Sequence, residues 1–173
     1  MTIARTPLFF GPDERSLFGW YHAPESDGLH GDMAVLVCPP IGHEYVNSHR
    51  SIRHLTDRIA EAGIPAMRFD YDGTGDSAGG DEDPGRLRAW LQSIRTAADA
   101  LRQLSGCVRI ALAGARFGAT LAALAAADFD VATLVLWTPV VRGRAYMREL
   151  KALQLTGATR ESKELEPGGF LYT

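Results

Sequence analysis

The sequence predicts an α/β fold: a mainly parallel sheet with helices on both faces and an antiparallel hairpin at its N-terminal edge. Three observations carry this. Short apolar runs without polar alternation, such as Ala34–Cys38, are what a strand buried on both faces requires. These runs alternate with segments of helical period, which implies strand–helix–strand units and parallel strands. Near the start, the apolar runs Pro7–Phe10 and Leu17–Tyr21 flank the turn-forming Gly11-Pro12-Asp13-Glu14-Arg15, which reads as a hairpin.

The elements follow in order. After a loop containing Pro24, Asp27 and Gly28 comes the strand Ala34–Cys38. The next helix takes Ser48 as its candidate N-cap, Ile52, Leu55 and Ile59 as its apolar face, and Gly63-Pro65 as its stop. Pro65–Phe69 is a second buried strand. Asp83-Pro84 reads as a cap with proline at the first helical position. Leu87, Trp90, Ile94, Ala97, Leu101 and Leu104 then mark one face of a long amphipathic helix ended by Gly106. Val108–Ala113 is a third buried strand, Phe117–Ala127 an alanine-rich helix, and Val131–Trp137 a fourth buried strand stopped by Thr138-Pro139. A basic amphipathic segment runs from about Arg144 to Leu155, and the remainder is polar.

Composition bounds the function. The 173 residues suit one core, with 46% apolar and 23% charged residues. A net charge of −3 argues against nucleic-acid binding. Cys38 and Cys107 fall in apolar runs and read as buried small hydrophobes in a reducing cytoplasm, not as a disulfide or metal site. Met1–Phe10 lacks the pattern of a signal peptide. The longest apolar stretch, Ala111–Ala127, is interrupted by Arg116 and two glycines, which makes it a poor membrane span. No cofactor is expected.

Ligand sites in open α/β sheets lie at the carboxyl ends of the strands, and three loops stand there. Pro39-Pro40-Ile41-Gly42-His43-Glu44 has an irregular backbone able to aim an N–H at a developing oxyanion, or is simply a rigid connection. Asp70–Ser77 formally contains a dinucleotide fingerprint from Gly73 to Ala78, but no helix opens there and its acids would repel a pyrophosphate. Asp70, Asp72, Asp76, Asp81, Glu82 and Asp83 crowd together, yet out of register with a calcium loop, so a tight acidic turn is preferred to a metal site. Gly114-Ala115-Arg116-Phe117-Gly118 has the form of a nucleophile elbow, G-x-S-x-G, with arginine at its centre. A guanidinium stays protonated and is no nucleophile.

CPPIGHEYVNSHRSIRHLTDRIAEAGIPAMRFDYDGTGDSAG, Cys38 to Gly79, with LAGARFGATLAAL, Leu112 to Leu124, resembles the α/β-hydrolase superfamily. The similarity runs from about Leu8 to Gln154. It points to the serine-aminopeptidase-like branch and, within it, to hydrolases associated with exosortase A and exopolysaccharide gene clusters, where non-serine elbows also occur. The resemblance implies oxyanion donors at Ile41 or Gly42 and at Phe117, and a structural turn at Asp70–Ser77. It implies a triad acid and histidine after the elbow. All five histidines (His22, His30, His43, His49 and His54) precede it. The expectation is therefore a partial hydrolase fold, with a core over 1–140 and a cap-like segment or tail over 141–173, inactive at the elbow.

Three functional readings follow. Arg116 at a helix N-terminus would favour a small carboxylate, acyl or phosphate ligand, with His43, Gly42 and Thr138 beside it; against this, it would merely pair with Asp72 or Asp76. An active hydrolase would need another nucleophile, Cys38 with His43 or else Ser77, or residues beyond this chain. Finally, Arg142, Arg144, Arg148 and Lys151 with Tyr146, Leu150 and Leu153 would bind a surface or partner, or form a cap helix over the crevice. An uncovered sheet edge would favour a homodimer.

Overall fold

The computed structural model of this chain describes residues 3–24, 31–80 and 82–161, with side chains as far as residue 153. His30, Asp81 and the polar tail beyond residue 161 lie outside the described residues. Residues to Pro139 form one compact unit, and those from Val140 form a second.

The first unit is built on a six-stranded sheet. Its strands are β1 (Arg5–Phe10), β2 (Leu17–His22), β3 (Met33–Cys38), β4 (Ala66–Phe69), β5 (Arg109–Ala115) and β6 (Thr133–Trp137), in the spatial order β1-β2-β4-β3-β5-β6. β4, β3, β5 and β6 run parallel, while the β1–β2 hairpin is antiparallel and joins β4 antiparallel. The helices are α1 (His43–Glu61), α2 (Arg86–Ser105) and α3 (Phe117–Ala125); α4 (Gly143–Glu161) belongs to the second unit. The α/β class, the mainly parallel sheet and the N-terminal hairpin are as the sequence predicts.

One face of the sheet is apolar. Leu36, Met67, Phe69 and Leu112 meet Ile94, Ala97, Ala98 and Leu101 of α2 and Leu121, Ala122 and Ala125 of α3 in a single core. Small residues on α3 let it lie close to the sheet, which concentrates the burial that stabilises the fold. Leu87 and Leu104, the ends of the predicted α2 stripe, are exposed, outside the buried stretch from Ser93 to Leu101.

The opposite face, under α1, is polar. Asp57 is buried on α1 and accepts two hydrogen bonds from Arg5 of β1, at 2.8 and 2.9 Å, and meets Nδ1 of His22 on β2 at 2.9 Å. The helix therefore turns Thr56 and Asp57 inward beside Ile52 and Ala60, leaving the predicted Leu55 and Ile59 only half-buried. Arg68 of β4 is also buried on this side, with its guanidinium over Trp20 at 5.3 Å.

Several sequence expectations need correction. Ser48 does not cap α1: the helix starts at His43 behind Gly42, whose φ of 60° ends the proline-rich loop, and the Ser48 hydroxyl donates to the Tyr45 carbonyl. Asp83-Pro84 does not open α2, which follows Gly85 in the left-handed region. The Asp83 carboxylate is instead engaged by Arg15 and the Gly80 amide. β6 is not buried: all five of its residues are exposed, because the sheet ends there among the described residues. The Phe117–Ala127 helix ends at Ala125, and β5 is displaced by one residue at its start and two at its end from Val108–Ala113.

No helix among the described residues is long and apolar enough to cross a membrane.

The polar layer gives a pH signature. Burial is the main cause that lowers the His22 pKa, from 6.5 to about 4, against the opposing pull of Asp57; Arg68 and Arg5 nearby also disfavour its charged form. Between pH 6.5 and about 4 the unfolded chain binds a proton that folded His22 refuses. Stability should thus be level above that window and fall by about 3 kcal/mol on acidification through it. Denaturant unfolding across pH should show this slope in the native sequence and a much flatter one in His22→Gln.

Candidate functional site

The site forms where β3, β5 and β6 end. β5 runs into Arg116, and α3 starts at the next residue, so the reversal is completed at a single position. Arg116 has φ 54° and ψ −122°, a conformation that costs a non-glycine residue about 1–3 kcal/mol. It persists because the flanking glycines allow a contact no other residue would. A Cβ on Gly118 would overlap the carbonyl oxygens of Pro39 and Cys38, and one on Gly114 would sit 2.5 Å from the Ala119 Cα. The backbone amide of Arg116 donates to the Trp137 carbonyl at 2.9 Å, which ties the elbow to the end of β6. Thr138 follows directly, also at positive φ, 47°.

The same contact seats the β3–α1 loop. Pro39 and Pro40 are buried, and the Tyr71 hydroxyl donates to the Pro39 carbonyl. Ile41 packs against the core, Gly42 is exposed, and His43 opens α1. Phe117 opens α3 and packs edge-on against Trp90, with ring centroids 6.1 Å apart. The first-turn amides of a helix point out of its end. Gly42 and Phe117, the sequence-predicted donor positions, therefore belong to two segments held together by the Gly118 contact.

The Arg116 guanidinium meets Glu44, not Asp72 or Asp76: Nε to Oε1 is 2.6 Å. Glu44 lies in the first turn of α1, where a carboxylate is also favoured by the helix dipole. Sequence reasoning missed it; an acid directly after the proline-glycine loop was the available signal. Asp72 is committed elsewhere, to Arg15 at 2.5 and 2.9 Å and to Arg86 at 2.9 Å, and the Arg15 hydrogen bond is the chief cause that lowers its pKa.

The Asp70–Ser77 turn is closed by its own side chains. Asp70 accepts from the Tyr45 hydroxyl at 2.5 Å and from the Asp76 amide at 3.0 Å. Ser77 Oγ donates to the Asp70 carbonyl at 2.7 Å and accepts from the Phe18 amide at 2.9 Å. Among the described residues no group of histidine, cysteine or acidic side chains could hold a metal ion. Cys38 is fully buried, and burial raises its thiol pKa to about 12. It is a poor source of thiolate at neutral pH.

Two substitutions separate strain from chemistry. Gly118→Ala should cost about 3 kcal/mol or more, since two backbone carbonyls must move. Ser77→Ala, which takes one buried hydroxyl away from both its partners, the Phe18 amide and the Asp70 carbonyl, should cost about 2 kcal/mol. Chemical denaturation of both variants measures the difference, and equal losses would contradict the ranking.

Comparison with known proteins agrees with this geometry. The family profile described as serine aminopeptidase, S33, matches residues 35–168. No curated protein matches the chain. Among solved structures, the chain is similar to an α/β serine hydrolase homologue from Coxiella burnetii, at 21% identity over 73% of this chain and 59% of that one, TM-score 0.60. It is similar to an α/β serine hydrolase without lid from Xanthomonas campestris, at 24% identity, covering 74% and 58%, TM-score 0.59. An esterase from Pyrococcus furiosus matches at 15% identity, covering 95% and 57%, TM-score 0.63. At these identities the structures establish the fold alone, and the chain spans less than three fifths of the length of each. With the profile covering most of its length, the chain belongs to the serine aminopeptidase S33 family of the α/β-hydrolase superfamily.

Proposed function

We propose that this chain is a hydrolase-fold protein that no longer hydrolyses and instead binds a small carboxylate, acyl or phosphate anion at its elbow. The observation that carries the reading is the Arg116–Glu44 pair, 2.6 Å apart at the N-terminal ends of α3 and α1. A carboxylate of the protein itself already sits on the guanidinium, which supports an anion as the occupant of this corner. Gly42 and Phe117 would supply amides, and His43 and Thr138 the flanking walls. An external anion would replace Glu44, so affinity is set by the difference between the two carboxylates.

Loss of hydrolysis follows from chemistry. Arginine has no lone pair to attack with. The other candidate nucleophiles are poorly placed: Cys38 is buried as a thiol, and Ser77 is held by two hydrogen bonds within its turn. The narrower resemblance to exosortase A-associated hydrolases fits an arginine elbow. We further assign residues 1–140 to the hydrolase core and 141–173 to a cap-like segment or tail. Cys38 and Cys107, both free and buried, suit the cytoplasm.

The chain should show no turnover of activated esters and no adduct with a fluorophosphonate probe by intact mass. Turnover that survives Arg116→Ala but vanishes in Cys38→Ala or Ser77→Ala would overturn the inactive reading.

Binding is tested separately, by amide chemical shifts of Phe117 and Gly118 during titration with acetate and with inorganic phosphate. Saturable shifts are expected in the native sequence, at lower concentration in Glu44→Gln, and not in Arg116→Ala. Absence of shifts in both the native sequence and Glu44→Gln would leave Arg116–Glu44 as a purely structural pair.

A further inference from the structure

Beneath α1 stand two arginines that the mechanism of the elbow does not use. Arg53 lies one helical turn before Asp57 on α1, and Arg68 sits on β4 opposite Trp20 of β2. The i, i+4 spacing and the strand register place both in the polar layer that holds Asp57 and His22. Arg68 is only 7% exposed, and Arg53 is half-buried. Among the described residues neither guanidinium makes a hydrogen bond or an ion pair, and the Nε of each is sealed from solvent without a partner. The acids nearby are already taken. Asp57 is held by Arg5 and His22, and Asp70 by the Tyr45 hydroxyl and the Asp76 amide.

A charge buried in that condition is costly unless an anion meets it. The face of Trp20, 5.3 Å from the Arg68 guanidinium, offsets part of the cost. Arg53 adds to it. Burial is the main cause that lowers the Arg68 pKa, and the charge of Arg53 acts in the same direction, against Tyr45, Asp70 and Asp57. Like charges held side by side with unused hydrogen-bonding capacity call for an anionic partner.

We infer that Arg53 and Arg68 together hold a phosphate-class oxyanion between α1 and β4, at a site separate from the elbow. Two guanidiniums without a carboxylate balance a dianion, and each offers a planar fork of donors suited to phosphate oxygens. A single carboxylate group would neutralise only one of them. His22 takes no part: its Nδ1 faces Asp57, and with a pKa of about 4 it is neutral near pH 7, which leaves Nε2 a lone pair and no N–H. Every residue of the site belongs to the first unit.

Thermal unfolding of the 173-residue chain against inorganic phosphate, with chloride keeping the ionic strength constant, tests this. The melting temperature should rise saturably, and the Arg53 and Arg68 amide signals should shift over the same range. Both responses should persist in Arg116→Ala, which removes the cation of the elbow. Adding Arg53→Gln or Arg68→Gln to that variant should abolish them, and the half-buried Arg53 decides the matter if Arg68→Gln does not fold. Acetate should act only at about tenfold higher concentration, since it satisfies one guanidinium instead of two. No saturable rise in Arg116→Ala, a rise that survives Arg53→Gln, or equal potency of acetate would overturn the inference.

Discussion

The contact between the first turn of α3 and the Cys38–Pro39 carbonyls is the constraint on which the site rests. It requires glycine at 118, and the strand-to-helix reversal beside it requires glycine at 114. Between them the central residue has no choice of backbone, whatever its side chain. An arginine there carries a strained φ of 54°. Its ion pair with Glu44 does not explain that conformation: the Arg116 side chain is one-third exposed, and partly solvated pairs contribute only about 0–1 kcal/mol. The strain is instead over-determined by the packing of β3, β5 and α3, which would impose it on serine as readily as on arginine. The elbow's shape is therefore set by the glycines and the packing around it, not by the side chain at its centre.

The two faces of the sheet divide the remaining work. The α2–α3 side is apolar and close-packed, and its burial is the main source of stability. The α1 side holds Arg5, His22, Asp57 and Arg68, groups costly to bury unless they meet one another. Such groups discriminate between registers, since a shift of one residue in β2 would move His22 to the other face and strand Asp57. The hairpin is located by this polar set together with Leu8, Phe10 and Tyr21, which pack against the apolar core. The same helix that carries Asp57 near its end carries Glu44 at its start, so the polar layer also positions the partner of Arg116.

What could be read from the sequence follows from whether the cause is local. The continuous runs in β3 and β5 announce buried strands, and Gly106 ends α2 as expected because a left-handed C-terminal residue is a local need. The elbow was legible from two glycines around Arg116. Ser48 and Asp83 misled because a capping side chain is only as good as its availability, and Asp83 is held by Arg15, far away in sequence. Glu44 lies 72 residues from Arg116, a separation no pattern spans. β6 reads like β3 in composition, yet burial depends on what lies beyond a strand, and composition cannot report the neighbour.

That last point links the edge of the sheet to the site. Trp137 is the last residue of the exposed strand, and its carbonyl receives the Arg116 amide. Thr138, at φ 47°, carries the chain out of the same corner. Whatever fixes the end of β6 fixes Trp137, and through that single hydrogen bond the elbow backbone. Restraint lowers the ordering cost of any ligand held between Arg116 and the α3 amides. Edge and elbow are thus physically continuous.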